Sequence, residues 1–292
     1  MTDSIQPTIL ITGATGSVGS ELAKQLAEKQ IPFRALVRSL DQAEALKQLK
    51  GAELVKGDFK DELSVLKALK GIEQVFLLSN SSEDAESLQS HFVDAAVKSN
   101  VKHLVKLSQF AANLNSPVRF LRYHAVVEEK IKRTGLQYTF LRPNLFMQGL
   151  LGFADAIKYQ QKFFATAGEA KISLIDVRDI AAVAVERLIT ADQDSKVYDI
   201  TGPEAISHQE IAEALSEVLH KEIKYVNVSD DEMLVALVQF GFPEWQAAGL
   251  IEDYAHYARG EAAVISHAVQ DVTGKSPRKF IDFVEDYKTL FE

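Results

Sequence analysis

Short apolar runs alternate with segments whose apolar residues recur every three or four positions, and this rhythm holds through the first half of the chain. Runs at 9–11, 32–37, 53–56, 74–78, 101–107 and 137–141 are brief and rich in Val, Ile, Leu and Phe, as buried parallel strands require. Between them, 20–28 places Leu22, Ala23 and Leu26 on one helical face, and 84–100 aligns Leu88, Phe92, Ala95, Ala96 and Val97. Segments 41–49 and 117–134 read as further helices, and another begins near Asp61. Strand followed by helix, repeated, predicts an α/β fold with a doubly wound parallel sheet.

After residue 144 the rhythm changes. Phe146, Met147, Leu150, Leu151 and Phe153 crowd together directly behind a strand end, and 160–168 reads as loop. Strands at 171–176 and 196–200 and a helix at 177–191 rejoin the main pattern. Ser207, with Glu210 three positions on, has the form of a capping box opening a helix. Helices at 230–240, 243–257 and 276–291 and a short strand at 224–228 complete the chain. The expected division assigns 1–144 and 171–202 to the domain of the main sheet, and 145–170 and 203–292 to a smaller, mainly helical lobe that selects substrate.

The passage from first strand to first helix carries chemistry. Thr12 to Gly19 places Gly13, Gly16 and Gly19 at GxxGxxG spacing. In a Rossmann fold these allow a tight turn, close approach of backbone to a pyrophosphate, and contact between helix and sheet. The helix start offers free N–H groups and a positive dipole end to an anion. Thr12, Thr15, Ser17 and Val18 complete the expected phosphate cradle, and an ordinary glycine-rich turn is the alternative. Arg38 closes the second strand nineteen positions beyond Gly19. At that distance an acidic residue favours NAD, whereas arginine favours the 2′-phosphate of NADP(H); a solvated charge at a strand end is the competing reading. Asp58 and Phe59 follow the third strand, where an adenine ring would lie, although Asp58 is equally placed to cap the helix near Asp61. Leu78, Ser79 and Asn80 end the fourth strand, on the side where ligands bind in open α/β sheets.

Composition removes other classes. A formal charge of −9 over 292 residues, with basic residues scattered, opposes nonspecific nucleic-acid binding. The absence of cysteine excludes disulfides and thiolate chemistry. Seven histidines show no ligand spacing, so no metal is expected. Residues 1–7 lack a signal core and no apolar run nears the roughly 20 residues that span a bilayer, so the expected location is cytoplasmic, without membrane.

Together, Thr12 to Gly19, Ala35 to Arg38, Gly57-Asp58, Leu141 to Asn144, Ile175 to Ala181, Thr201 to Ala205 and Thr273 to Phe280 resemble the short-chain dehydrogenase/reductases, and within them the atypical, NmrA-like branch. That branch includes NADPH-dependent quinone reductases and triphenylmethane dye reductases. Typical members of the superfamily use Ser, then Tyr about twelve positions on, then Lys four further. Counting from Ser108, those positions hold Phe120 and His124. Phenylalanine has no labile proton, so ordinary ketone reduction through that tyrosine is disfavoured.

The resemblance therefore implies a reductase passing hydride from NADPH to a quinone-like or otherwise electron-poor small molecule. The alternative is a nonenzymatic NADP(H)-sensing regulatory protein. His124 is the candidate catalytic residue, binding the nicotinamide ribose or donating a proton, with Glu128 one turn on to orient it. Ser108 and Asn144 are expected beside the nicotinamide, although Asn144 is equally placed to close the strand end through the backbone. Asn80, Phe110, Phe120, Phe146 and Met147 are expected in the substrate pocket. Tyr123 is discounted as pointing about 100° away around the helix, and Asp179 is read as a helix cap or a partner of the helix dipole, not a catalyst. A monomer or homodimer is expected.

Overall fold

The computed structural model describes residues 6–190 and 194–292. Its strands are β1 (Ile9–Ile11), β2 (Phe33–Val37), β3 (Ala52–Lys56), β4 (Gln74–Leu77), β5 (His103–Leu107), β6 (Gln137–Pro143), β7 (Lys162–Ala165), β8 (Lys171–Ile172), β9 (Lys196–Ile200), β10 (Ile206–Ser207) and β11 (Lys224–Asn227). The helices are α1 (Ser17–Glu28), α2 (Glu44–Lys47), α3 (Glu62–Leu69), α4 (Ala85–Lys98), α5 (Arg119–Arg133), α6 (Ala154–Gln160), α7 (Val177–Ile189), α8 (His208–Leu219), α9 (Asp230–Gln239), α10 (Glu244–Ala258), α11 (Ala268–Thr273), α12 (Phe280–Asp286) and α13 (Lys288–Phe291).

Among the described residues the main sheet is parallel and runs β3-β2-β1-β4-β5-β6-β9. Both faces are covered, which explains the unbroken apolar runs of its central strands. Ile9 and Ile11 face a core shared with α1 and α7, while Leu10 points oppositely, to a core shared with α3, α4 and α5. Strand order reverses between β1 and β4, opening a crevice at their carboxyl ends. On α4 the buried stripe differs from expectation. Gln89, Phe92, Val93 and Ala96 face inward, and Val97, one step of about 100° further round, is exposed.

A second core joins Met147, Phe163, Ile211, Leu215, Tyr257 and Phe283 in the C-terminal half. Here three expectations are corrected. Segment 160–168 contains β7, which pairs in parallel with β11 some sixty residues later. The helix at 276–291 is instead α12 and α13, preceded by α11, which ends at Gly274 in the left-handed conformation (φ 71°). The strand expected at 171–176 stops at Ile172: the Ser173 N–H bonds the Ala262 carbonyl and the Ile175 N–H the Leu145 carbonyl, so the backbone leaves β10, and Asp176 caps α7 by accepting from the Arg178 N–H. The Ser207–Glu210 capping box opens α8 as read. The last residue of the helix expected over 177–191 lies outside the described residues. No described helix is long and apolar enough to cross a membrane.

Candidate active site

The turn after β1 is built from close backbone contacts. Gly13 adopts φ +61°, and a β-carbon there would lie 2.7 Å from Leu78 Cγ. A β-carbon on Gly19 would lie 2.2 Å from the Gly13 carbonyl oxygen, so only glycine lets α1 start this near the strand. Gly16 is the N-cap residue of α1 and supplies no side-chain cap, which leaves the first helical N–H groups facing outward. Thr12 ties this turn to β4: its hydroxyl accepts from Leu78 N–H at 2.8 Å and lies 2.9 Å from the Leu78 carbonyl. The turn forms one wall of a cavity of about 650 Å³ whose other walls are Arg38, Gly57 to Lys60, Leu78 to Asn80 and Phe146. Arg38 is exposed at its rim.

A second cavity, of about 820 Å³, adjoins the first and shares Ser17, Leu78, Ser79, Leu107 and Phe146 with it. Its walls come from the carboxyl ends of β5 and β6, from α5 and from α10. They are strongly aromatic: Phe110, Phe120, Tyr123, Phe146, Phe242 and Tyr257. Helix α10 is clamped over α5 by the two-point pairing of Arg119 with Glu252, and Trp245 packs against Phe120 at 5.4 Å between ring centroids. Among these rings sit polar groups. Tyr123 bonds Ser81 at 2.9 Å and stacks on His124 at 4.1 Å. Gln109 donates to Asp253 at 2.8 Å. Burial pushes the Asp253 carboxyl up to about 7, partly countered by the Gln109 bond.

Behind this wall lies a buried polar network. Lys106 Nζ meets His124 Nδ1 at 2.6 Å. Glu128 forms a two-point ion pair with Arg142, at 3.0 and 2.5 Å, and accepts from the Ser108 hydroxyl. Burial, followed by the adjacent Lys106 charge, holds His124 well below the usual histidine range, so the imidazole is neutral. Burial also lowers Lys106 to about 7.

With this geometry established, sequence comparison is decisive: the model of the NmrA-like family matches residues 6–290. The chain belongs to the NmrA-like family. It is 34% identical over 283 residues to the NAD(P)H azoreductase of Xenophilus azovorans, covering 97% of this chain and 99% of that protein. Its fold matches the NADPH complex of the Escherichia coli NADPH-dependent quinone oxidoreductase with a TM-score of 0.86 and 27% identity, covering 97% and 100% of the two chains. The Citrobacter sp. triphenylmethane reductase complexed with NADP(H) matches with a TM-score of 0.85 and 27% identity, over 95% and 99%.

Within this NmrA-like frame the expected residues distribute between the two cavities. Thr12, Gly13, Thr15, Gly16, Ser17, Val18, Arg38, Asp58, Phe59, Leu78 and Ser79 line the first, and Gly19 lies beneath its turn. Ser108, Phe110, Phe120, His124, Asn144 and Phe146 line the second.

Several placements differ. Asn80 lines the first cavity instead of the second, and Met147 is buried in the second core, away from both. The Asn144 amide is committed to Ser173 and the Ala262 carbonyl, and its Oδ1 to Leu145 N–H, so it anchors the end of β6. Asp58 accepts from Lys60 N–H while Asp61 caps α3. Asp179 lies in the first turn of α7, where a negative charge suits the helix dipole, and accepts from the Arg278 N–H, while the cap of α7 is Asp176. Glu128 does not orient His124; Lys106 does. Tyr123, set aside on angular grounds, shares the cavity, because positions 120, 123 and 124 span an arc of only about 100° on a helix. Lys106, Gln109, Asp253 and His256 were not anticipated.

Proposed function

We propose that the protein is an NADPH-dependent reductase acting on a quinone-like or otherwise electron-poor aromatic acceptor. The observation that carries this reading is the junction of the two cavities at Ser79, Leu107 and Phe146. One cavity has a side-chain-free glycine turn and an open helix start, and the other has flat aromatic walls with two imidazoles, His124 and His256, set into them. The first fits a dinucleotide: Gly13, Gly16 and the N–H groups of Ser17 and Val18 would hold the pyrophosphate, Asp58 and Phe59 the adenine side, and Arg38 the 2′-phosphate. When bound, the nicotinamide supplies hydride.

The chain's own residues do the rest. Phe110, Phe120 and Phe146 sandwich a planar acceptor by stacking and exclude water from it. Phe120 cannot donate a proton, which favours acceptors already electron-poor. His124 lines the same cavity and would donate a hydrogen bond to a reduced acceptor. The reductase relatives support this reading.

Steady oxidation of NADPH by the purified protein with a panel of quinones, azo dyes and triarylmethane dyes is the expected result. Tight NADP(H) binding without turnover of any acceptor would replace this reading with a nonenzymatic NADP(H)-sensing role.

A further inference from the structure

Lys106 sits in the middle of the sheet with no exposed surface. Among the described residues its Nζ contacts only His124 Nδ1, at 2.6 Å, and the Leu107 carbonyl, at 3.3 Å. No carboxylate pairs with it, since Glu128 is engaged by Arg142 and Ser108. Burying an ammonium without a counter-ion costs several kcal/mol. Such a cost is characteristic of sites where a proton changes hands.

The contact also fixes the imidazole. An ammonium at Lys106 has no lone pair, so with Lys106 charged Nδ1 must accept and the ring proton lies on Nε2, which no described protein group bonds. His124 is part of the wall of the acceptor cavity. We propose that Lys106 is a positioning residue that locks His124 as an Nε2 donor toward the acceptor and refills its proton. The proposal rests on the reductase reading above.

The step balances. A quinone that has received two electrons and one hydrogen as hydride is a hydroquinone monoanion. It takes the His124 Nε2 proton while Nδ1 takes a proton from Lys106, leaving neutral hydroquinone, neutral imidazole and neutral amine. A proton taken up from bulk solvent and passed through water in the cavity then returns to Nε2, and the Nδ1 proton returns to Lys106, so each turnover consumes one solvent proton. Burial, with Arg142 adding to it and Glu128 opposing, brings Lys106 to about 7, so its proton is transferable near neutrality. The other groups bearing on the pair are Tyr123, stacked on His124 and influenced by Asp253 of α10, and Asp199 of β9, which acts on Arg142.

Acceptors divide on this point. A quinone or azo bond needs hydride and proton, whereas a triarylmethyl cation needs hydride alone and becomes a neutral product. Lys106→Met should therefore lower kcat with 1,4-benzoquinone or an azo dye by about a hundredfold, as loss of a general acid does, and leave crystal violet reduction at the same pH within about twofold. Wild-type kcat with the quinone should fall about tenfold per pH unit above pH 7.

Nitrogen NMR of histidine-labelled protein without cofactor should place the His124 proton on Nε2, the resonance being assigned by its loss in His124→Gln. Equal losses with all acceptors, unchanged quinone turnover, or a proton on Nδ1 would overturn the relay. If Lys106→Met does not fold, the tautomer and the wild-type pH profile decide. Wild-type protein that turns over none of the three acceptors would remove the reductase reading itself, and the relay with it.

Discussion

Arg38 projects from the end of β2 over the rim of the first cavity, exposed and flanked there by Lys60, whose ammonium is already paired with Asp84. On the proposed reading its guanidinium alone meets the 2′-phosphate, and a charge-assisted bond of about 1.5–3 kcal/mol corresponds to roughly ten- to a hundredfold in affinity. Arg38→Asp should raise KM for NADPH by that factor and alter KM for NADH no more than about threefold; equal rises for both would assign Arg38 to the solvated surface. This residue was legible because its role follows from distance along the chain, as do those of the glycines. Lys106 was not. In 101–107 the alternation places Lys102, Leu104 and Lys106 on one face, which reads as a partly solvated strand. Lys102 does reach solvent, paired with Glu73, but α5 lies over the carboxyl half of β5 and buries Lys106. Only the way the next helix docks over the strand separates the two lysines.

At the scale of elements, the acceptor cavity depends on how closely α10 approaches α5. Gly249 of α10 lies against Phe120: a β-carbon there would sit 2.3 Å from its Cζ and 2.4 Å from Cε1. Gly249→Ala must displace the Phe120 ring or lift α10, an overpacking cost of about 1–3 kcal/mol. Because Phe120 lines the second cavity and not the first, KM for the acceptor should rise severalfold while KM for NADPH holds. A parallel rise in both would show that the two cavities do not act separately. The main strands and their helices were readable because each buries a locally periodic face. The C-terminal half was less so, since β7 is four residues long and is defined by its pairing with β11, and α11 to α13 have at most about two turns each and are held by packing, α11 against the core of α1 and α7 and the others in the second core, more than by their own period.

The whole molecule carries an acid sensitivity set by buried histidines. His208 stands among the rings of Phe163, Tyr225 and Tyr254 with Nδ1 unpartnered, and burial lowers it to about 4. His103, bonded to Thr139, is lowered to about 4 by burial and then by Arg187. In the unfolded chain both titrate near 6.5, so between 6.5 and 4 the unfolded state binds more protons and stability falls as pH falls. Asp253, raised to about 7, binds its proton more tightly in the folded state and opposes them over the same range. Total stability is therefore a balance, and a difference isolates one group. His208→Phe keeps an aromatic ring in the same box and removes the proton site. In urea unfolding, its stability relative to wild type should improve by on the order of 1 kcal/mol per pH unit as the pH drops through the window from 6.5 to 4. The difference should level off above 6.5, where neither state protonates this ring. A difference constant across the whole range would mean that His208 titrates alike in both states, and would move the source of acid sensitivity to His103 and His124.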